Sequence, residues 1–365
     1  MNSSGTTEAR AALDRSSRPV ITNIQILRFL AAGSILLTHS ALLVPPGSFL
    51  HYFPWVGGVD LFFVISGFIM TWLSWGRFGE AGVASRFLLR RLIRIVPPYW
   101  FFTTLMVGAV VFASHHIKNT RLEAAPVITS YAFIPWPRPS DGKLNPLLSQ
   151  GWTLNYELFF YAAFAAALCF RNGLRWLVFS FLLLAAVHYL VPPQWFVPRF
   201  YSNPIILEFL AGIGLAHLYM RGMRVPLWCS VALVGLAPAA FVAARLLPGF
   251  DGERALVLGL PASLLFASLA LRPEPAHQGP VRRFLRLGGD ASYTLYLSHT
   301  FTATAMAVIW RRLGYSDPWL ELAVSVIAAI AVAILLYRLL ERPVTNALSR
   351  AVGLTRPSEA QRVAP

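Results

Sequence analysis

Charge is what this sequence has least of. Only 13% of its 365 residues are Asp, Glu, Lys or Arg, about half of the roughly 25% that a soluble domain carries. Acidic residues are the scarcer kind, 16 against 31 basic ones. So few charges cannot clothe a soluble domain of this length, and that class is excluded. Cysteine is nearly missing too. Cys169 and Cys229 lie in or beside apolar runs with no CxxC or Cys/His spacing, so they read as small buried hydrophobes and not as a disulfide or metal site. No Gly-rich phosphate loop, zinc-type histidine spacing or GxSxG elbow is present, and no bound metal is expected. No cleavable signal precedes the first apolar run. Residues 1–20 are polar and Arg-bearing, and are expected to be a disordered cytoplasmic tail.

What the chain does have is apolar length: 56% hydrophobic residues and a mean hydropathy of +0.57. A membrane-spanning helix needs about 20 apolar residues. Ten stretches qualify: 24–43, 58–76, 97–115, 152–170, 174–191, 203–220, 226–246, 255–271, 290–310 and 319–340. The expected fold is all-α, a polytopic membrane helix bundle of about ten transmembrane helices with no appended soluble domain. The bundle would fill residues 21–345, and 346–365 would form a basic cytoplasmic tail.

The net charge of +15 would suggest nucleic acid in a soluble chain. Here the basic residues sit between apolar runs, so no nucleic-acid partner is expected. With the N-terminus inside, twenty of the 31 Lys and Arg fall in cytoplasmic tails and loops and nine in outer loops. The other two, Arg28 and Arg338, lie within spans. That asymmetry supports an even span count with both termini cytoplasmic.

The chain is organised around Arg28 to Phe68. RFLAAGSILLTHS is followed by a Pro/Gly-rich bend and then GGVDLFFVISGF. Eleven helical residues turn through about 1,100°, so Arg28 and His39 share one face about 16 Å apart. Ionisable groups on a membrane helix face a protein interior or a wet cavity and mark function. The returning span starts near Asp60, which is expected to reach the depth of His39. A carboxylate beside a neutral imidazole fixes its tautomer and makes it a better base, suited to deprotonating a hydroxyl. The alternative is a histidine hydrogen-bonded for packing.

Three further groups stand out. In QGWTLNYELFFY, Thr153, Glu157 and Tyr161 recur at i, i+4 and i+8, beside a second stripe of Trp152 and Tyr156. A membrane carboxylate costs about 2.5 kcal/mol or more unless it is paired or wet, so Glu157 with its aromatics reads as a sugar or polar-acceptor site. Taken alone, Trp152 and Tyr156 read better as an interfacial aromatic belt. In GGDASYTLYLSHT, Ser292, Tyr296 and His299 share a face, either lining a substrate path or bonding helix to helix. In SRFLLRRLIRIVPPYW, Arg90, Arg91 and Arg94 lie near the inner face with Arg28, before Pro97-Pro98 restarts the chain into span three. Arginine suits phosphate by its bidentate fork, and lipid headgroups would use the same residues. Ser66 and Gly67 allow close helix approach, with Ser66 lining a channel. The outer loop 116–151, rich in Pro, could cap an outer cavity.

At these residues the chain resembles membrane-bound acyltransferase family 3 over about residues 20–345. The pieces that carry the likeness are the Arg28-to-His39 spacing, GVDLFFVISGF, RRLIRIVPPYW, GWTLNYELFFY, GDASYTLYLSH and LERP, in that order. The GWTLNYE wording is similar to the exopolysaccharide O-acetyltransferase branch. The resemblance implies acetyl-CoA as cytoplasmic co-substrate and a cell-surface or lipid-linked glycan as acceptor. It implies His39 as base, Asp60 and Glu157 as functional acids, and Arg28, Arg91 and Arg94 as donor-binding positions. Ser66 is expected beside that donor site. Trp152, Tyr156, Tyr296 and His299 join Glu157 as expected acceptor-side residues. A bacterial inner-membrane location follows, with membrane lipid and polysaccharide-assembly proteins as partners. Rival readings are a proton-coupled transporter using Asp60, Glu157 and His299, and a non-catalytic scaffold. Neither accounts for Arg28 and His39 on one face with further arginines at the inner mouth.

Overall fold

A computed structural model describes residues 20–53, 55–112, 123–138, 141–246, 254–275 and 277–354. The expected tails therefore lie mostly outside the described residues, as do residues 116–122 of the outer loop. The described residues form helices without a strand. The helices used below are α1 (Thr22–Ser40), α2 (Gly58–Ser74), α3 (Val83–Phe112), α4 (Trp152–Leu168), α5 (Gly173–Ala186), α6 (Leu207–Met220), α7 (Leu227–Leu246), α8 (Leu260–Ala270), α9 (Pro280–Asp290), α10 (Ser292–Leu313), α11 (Pro318–Leu336) and α12 (Arg342–Ala351).

Every stretch expected to span falls on a helix. Six segments are long and apolar enough to cross a membrane by length and composition: Thr22–Leu43, Trp55–Ser74, Val83–Phe112, Gly173–Leu190, Phe196–Met220 and Pro318–Ala351. The helices α4, α7, α8 and α10 lie at the other four expected spans but do not meet that length and composition, so among the described residues six spans are found where about ten are expected.

Two boundaries differ from expectation. Pro97-Pro98 does not restart the chain: α3 runs unbroken from Val83 to Phe112 with both prolines inside it. Proline removes an N–H and clashes with the preceding turn, but inside a bundle neighbouring helices can satisfy the freed backbone. The carbonyls left without a ladder donor are those of Ile93 and Arg94; beside them, the Tyr293 hydroxyl donates to the Ile95 carbonyl at 2.8 Å and ties α3 to α10. As a result the arginines sit on the same rigid rod as Tyr99 and Phe102. At the C-terminal end, helix continues past residue 345 as α12 to Ala351.

The centre of the bundle is the antiparallel pair α1 and α2. The first packs against α8, α9, α10 and α11, the second against α4, α6 and α8. Small residues set the closest approaches, as expected where helices associate by van der Waals contact in lipid. A Cβ on Gly67 would lie 2.0 Å from the Phe209 carbonyl oxygen, and one on Gly212 would lie 2.1 Å from that of Val64. Thus α2 and α6 touch backbone to backbone. Around this contact Phe63, Phe160 and Phe209 are almost wholly buried, with Phe160 stacked on Phe209 at 4.3 Å.

Candidate active site

The register of α2 against α1 decides which polar groups can meet. A Cβ on Gly58 would lie 2.4 Å from the Ala31 carbonyl oxygen, and Ser34 Oγ donates to the Trp55 carbonyl. The start of α2 is therefore level with the middle of α1. From Ala31 to His39 is eight residues, about 12 Å of rise, so Asp60 enters the bundle well below His39. The expected His39–Asp60 pair does not form. The Asp60 carboxylate is fully buried and gives both oxygens to Arg254, at 2.7 Å from Nη2 and 3.1 Å from Nε. The bend between α1 and α2 drops further into the bundle than a hairpin placed by apolar length alone would.

Arg254 and Glu208 are the residues that sequence reasoning missed here. Arg254 counts as an outer-loop cation in the sequence but folds inward, with its guanidinium 5.7 Å from the Trp152 ring. Glu208 opens α6, is 2% exposed, and buries its carboxyl group beside that of Asp60. Its signal was legible: an acid inside an apolar stretch, by the same argument that singled out Glu157.

Arg28, Arg91, Arg94, Ser66 and Glu157 do converge. They line a cavity bounded by α1, α2, α3, α4 and α10, with Thr153, Tyr161, Tyr293 and Tyr296 completing its polar wall. Glu157 Oε1 accepts from Ser66 Oγ at 3.0 Å and from the Tyr161 hydroxyl. The i, i+4 stripe thus holds its own carboxylate in place. Glu157 therefore sits among the arginines rather than with Trp152 and Tyr156. Arg28 is 7% exposed and donates to Gln25 Oε1 at 3.0 Å. Arg91 faces the rings of Phe87 and Tyr161 at 5.7 and 5.9 Å, and its Nε is buried without a partner. Among the described residues, none of these three arginines has a carboxylate within 4.0 Å.

A second cavity adjoins the first and shares Arg28 and Arg94 with it. Gln25, Asp290, Glu341 and Arg342 also line it. Glu341, in the LERP segment, accepts from Thr294 Oγ1. Two acids thus stand near the arginines without pairing with them, and three cations surround one carboxylate in the first cavity. Such a chamber attracts an anion with several oxygens, because unsatisfied buried guanidiniums are costly to leave without counter-charge.

The remaining expected residues take other places. Tyr156 is 4% exposed, stacks on Phe200 at 4.1 Å and donates to its carbonyl at 2.7 Å. That is a packed core tyrosine. Trp152 is half-buried, edge-on to Tyr156. The Tyr296 hydroxyl faces the Gln150 carbonyl at 2.5 Å and Thr153 Oγ1 at 2.7 Å. His299 is 1% exposed, and its ring lies 5.0 Å from that of His39, centroid to centroid. His39 is exposed near the C-terminal end of α1. Tyr296 borders the first cavity, His299 lies beside Tyr296 at 6.3 Å, and His39 lies beside His299.

Fold and site together define a multi-pass membrane protein with an anion-attracting chamber sunk between its helices and a histidine beyond it. A family profile described as "Acyltransferase domain" matches residues 21–338. The chain is 35% identical over 297 residues to the exopolysaccharide production protein ExoZ of Rhizobium meliloti, covering 80% of this chain and 90% of that one. It is 26% identical to the acyltransferase MdmB of Streptomyces mycarofaciens over 82% of each chain. It is 24% identical to the peptidoglycan O-acetyltransferase OatA of Listeria monocytogenes over 58% of this chain and 30% of that one. No solved structure matches. The chain belongs to acyltransferase family 3, as the resemblance in its motifs implied, and is a multi-pass membrane acyltransferase.

Proposed function

We propose that this protein moves an acetyl group from cytoplasmic acetyl-CoA to a hydroxyl of a cell-surface or exopolysaccharide sugar, lipid-linked or polymeric, in the bacterial inner membrane. The observation that carries the reading is the set of three arginines, Arg28, Arg91 and Arg94, held in the cavity without carboxylate partners. A pyrophosphate and a 3′-phosphate supply the oxygens such a set lacks. The second cavity, at Asp290 and Glu341, lies near the start of α1 and is a route for the donor when both termini are cytoplasmic. The sugar acceptor is suggested by the name of the relative from Rhizobium meliloti, which concerns exopolysaccharide production.

In this reading the diphosphate rests on Arg28 and Arg94 while the pantetheine arm passes Ser66 and Glu157 towards Tyr296 and His39. His39 takes the proton of the acceptor hydroxyl as its oxygen attacks the thioester carbonyl. The C–S bond breaks, and the proton passes to the leaving thiolate. Asp60 serves as a structural acid bound to Arg254, not as the partner of His39. Trp152, beside Arg254, offers a flat face to a sugar ring.

Purified protein, radiolabelled acetyl-CoA and p-nitrophenyl galactoside as a soluble hydroxyl acceptor test the reaction. Acetylated product is expected, nearly lost with His39→Ala and formed with Arg94→Ala only at higher acetyl-CoA concentration. Proton- or sodium-driven solute uptake in vesicles with no use of acetyl-CoA would contradict it.

A further inference from the structure

The base assigned above lacks the carboxylate that was expected to orient it, and its nearest ring is another histidine. His299 Nδ1 lies 2.8 Å from the Tyr296 carbonyl oxygen and 3.2 Å from that of Leu295. Carbonyl oxygens only accept, so Nδ1 carries the proton, and in the neutral ring Nε2 is left with a lone pair. That Nε2 is buried and has no hydrogen-bond partner. Nδ1 bonds back to its own helix, so the opposite edge of the ring faces away from that hydrogen bond. Two rings adjoin it. The Tyr296 hydroxyl is engaged with the Gln150 carbonyl and Thr153 Oγ1. The other ring is His39, 5.0 Å away and tilted by 43°.

We infer that His299 is the positioning residue for His39, accepting an imidazole N–H of His39 at its own Nε2. The exposed His39 ring turns to make this bond, and its second nitrogen is then fixed as the lone-pair nitrogen that faces the acceptor hydroxyl. A buried acceptor with no partner supplies the drive, since leaving one unmade is costly. The imidazolium formed when His39 takes the hydroxyl proton keeps the same bond. The backbone carbonyls of Leu295 and Tyr296 thus set the tautomer of His299, and His299 sets that of His39. This inference rests on the acetyl-transfer reading for its kinetic consequences but not for the hydrogen bond itself.

The test uses the purified full-length chain with acetyl-CoA and p-nitrophenyl galactoside. His299→Leu should lower kcat by about tenfold to a hundredfold, the scale of an impaired general base, with KM for acetyl-CoA little changed. His299→Gln, whose amide oxygen can accept at the Nε2 position, should recover most of the loss. In a His39→Ala background, His299→Leu should cost nothing further. Equal loss in the Gln and Leu variants, or losses that multiply in the double variant, overturn the inference. A measurement on the unaltered chain stands beside it, so that a folding failure of His299→Leu leaves the inference testable. Nitrogen NMR with isotope-labelled histidine should show His39 as one tautomer with a nitrogen–nitrogen coupling to His299, and two exchanging His39 tautomers without that coupling overturn it. A wild-type chain that shows the coupling but transfers no acetyl group would contradict the acetyl-transfer reading alone.

Discussion

Asp60 gives both carboxylate oxygens to Arg254 across 194 positions of sequence. The acid is fully buried and the arginine side chain is 31% exposed. Removing one partner from a buried pair leaves the other charge uncompensated, at a cost of about 3–5 kcal/mol. Arg254→Ala should therefore lower the thermal unfolding midpoint in detergent sharply. The double variant Asp60→Asn, Arg254→Ala should recover part of that loss, because the stranded carboxylate is gone. Nanoscale fluorimetry of the three proteins checks it.

Arg28 and Arg94 line both cavities, so they stand where a ligand would pass from one to the other. Arg94→Ala should raise KM for acetyl-CoA by at least about tenfold, the equivalent of about 1.4 kcal/mol. Arg94→Lys should not restore it fully, since an ammonium cannot offer two parallel N–H bonds to one phosphate. Initial rates against acetyl-CoA concentration give the answer. Unchanged KM in both variants would remove the phosphate contact from this residue.

Ser66 donates to Glu157 Oε1 at 3.0 Å, and the Tyr161 hydroxyl donates to the same oxygen. Ser66→Ala deletes one of two donors and should cost about 1 kcal/mol of stability. Glu157→Gln should be milder in stability than Glu157→Leu, because an amide oxygen can still accept from both hydroxyls. Thermal melts of the variants check this order.

The contact of α2 with α6 leaves no room for a methyl group. Gly67→Ala would push a Cβ to 2.0 Å from the Phe209 carbonyl oxygen. Overpacking of this kind costs about 1–3 kcal/mol or more when backbone must move. Gly33→Ala, with nothing within 4 Å of its Cβ, is the matched control on the neighbouring helix. Loss of folded yield should follow the first change and not the second.

Much of the site was readable because helical arithmetic is rigid. Arg28 and His39 share one continuous helix, and Thr153, Glu157 and Tyr161 lie on one face of α4, with Glu157 and Tyr161 bonded. What the sequence hid was vertical register between helices. Apolar run lengths put Asp60 level with His39, whereas the Gly58 contact with Ala31 fixes Asp60 about 15 Å lower. Arg254 was hidden for a related reason: a charge at the edge of an apolar run can face water or fold inward, and only its partner decides which. Pro97-Pro98 misled because local propensity opposes helix there, while the packing of α3 against its neighbours keeps it helical.

The most direct test of the account is transfer from acetyl-CoA by the protein with His39 replaced by Ala or Gln, measured beside the wild type at equal folded yield. The account predicts acetyl-CoA binding close to wild type, through Arg28 and Arg94, with acetyl transfer reduced by at least about a hundredfold. Full transfer activity in either variant would contradict it.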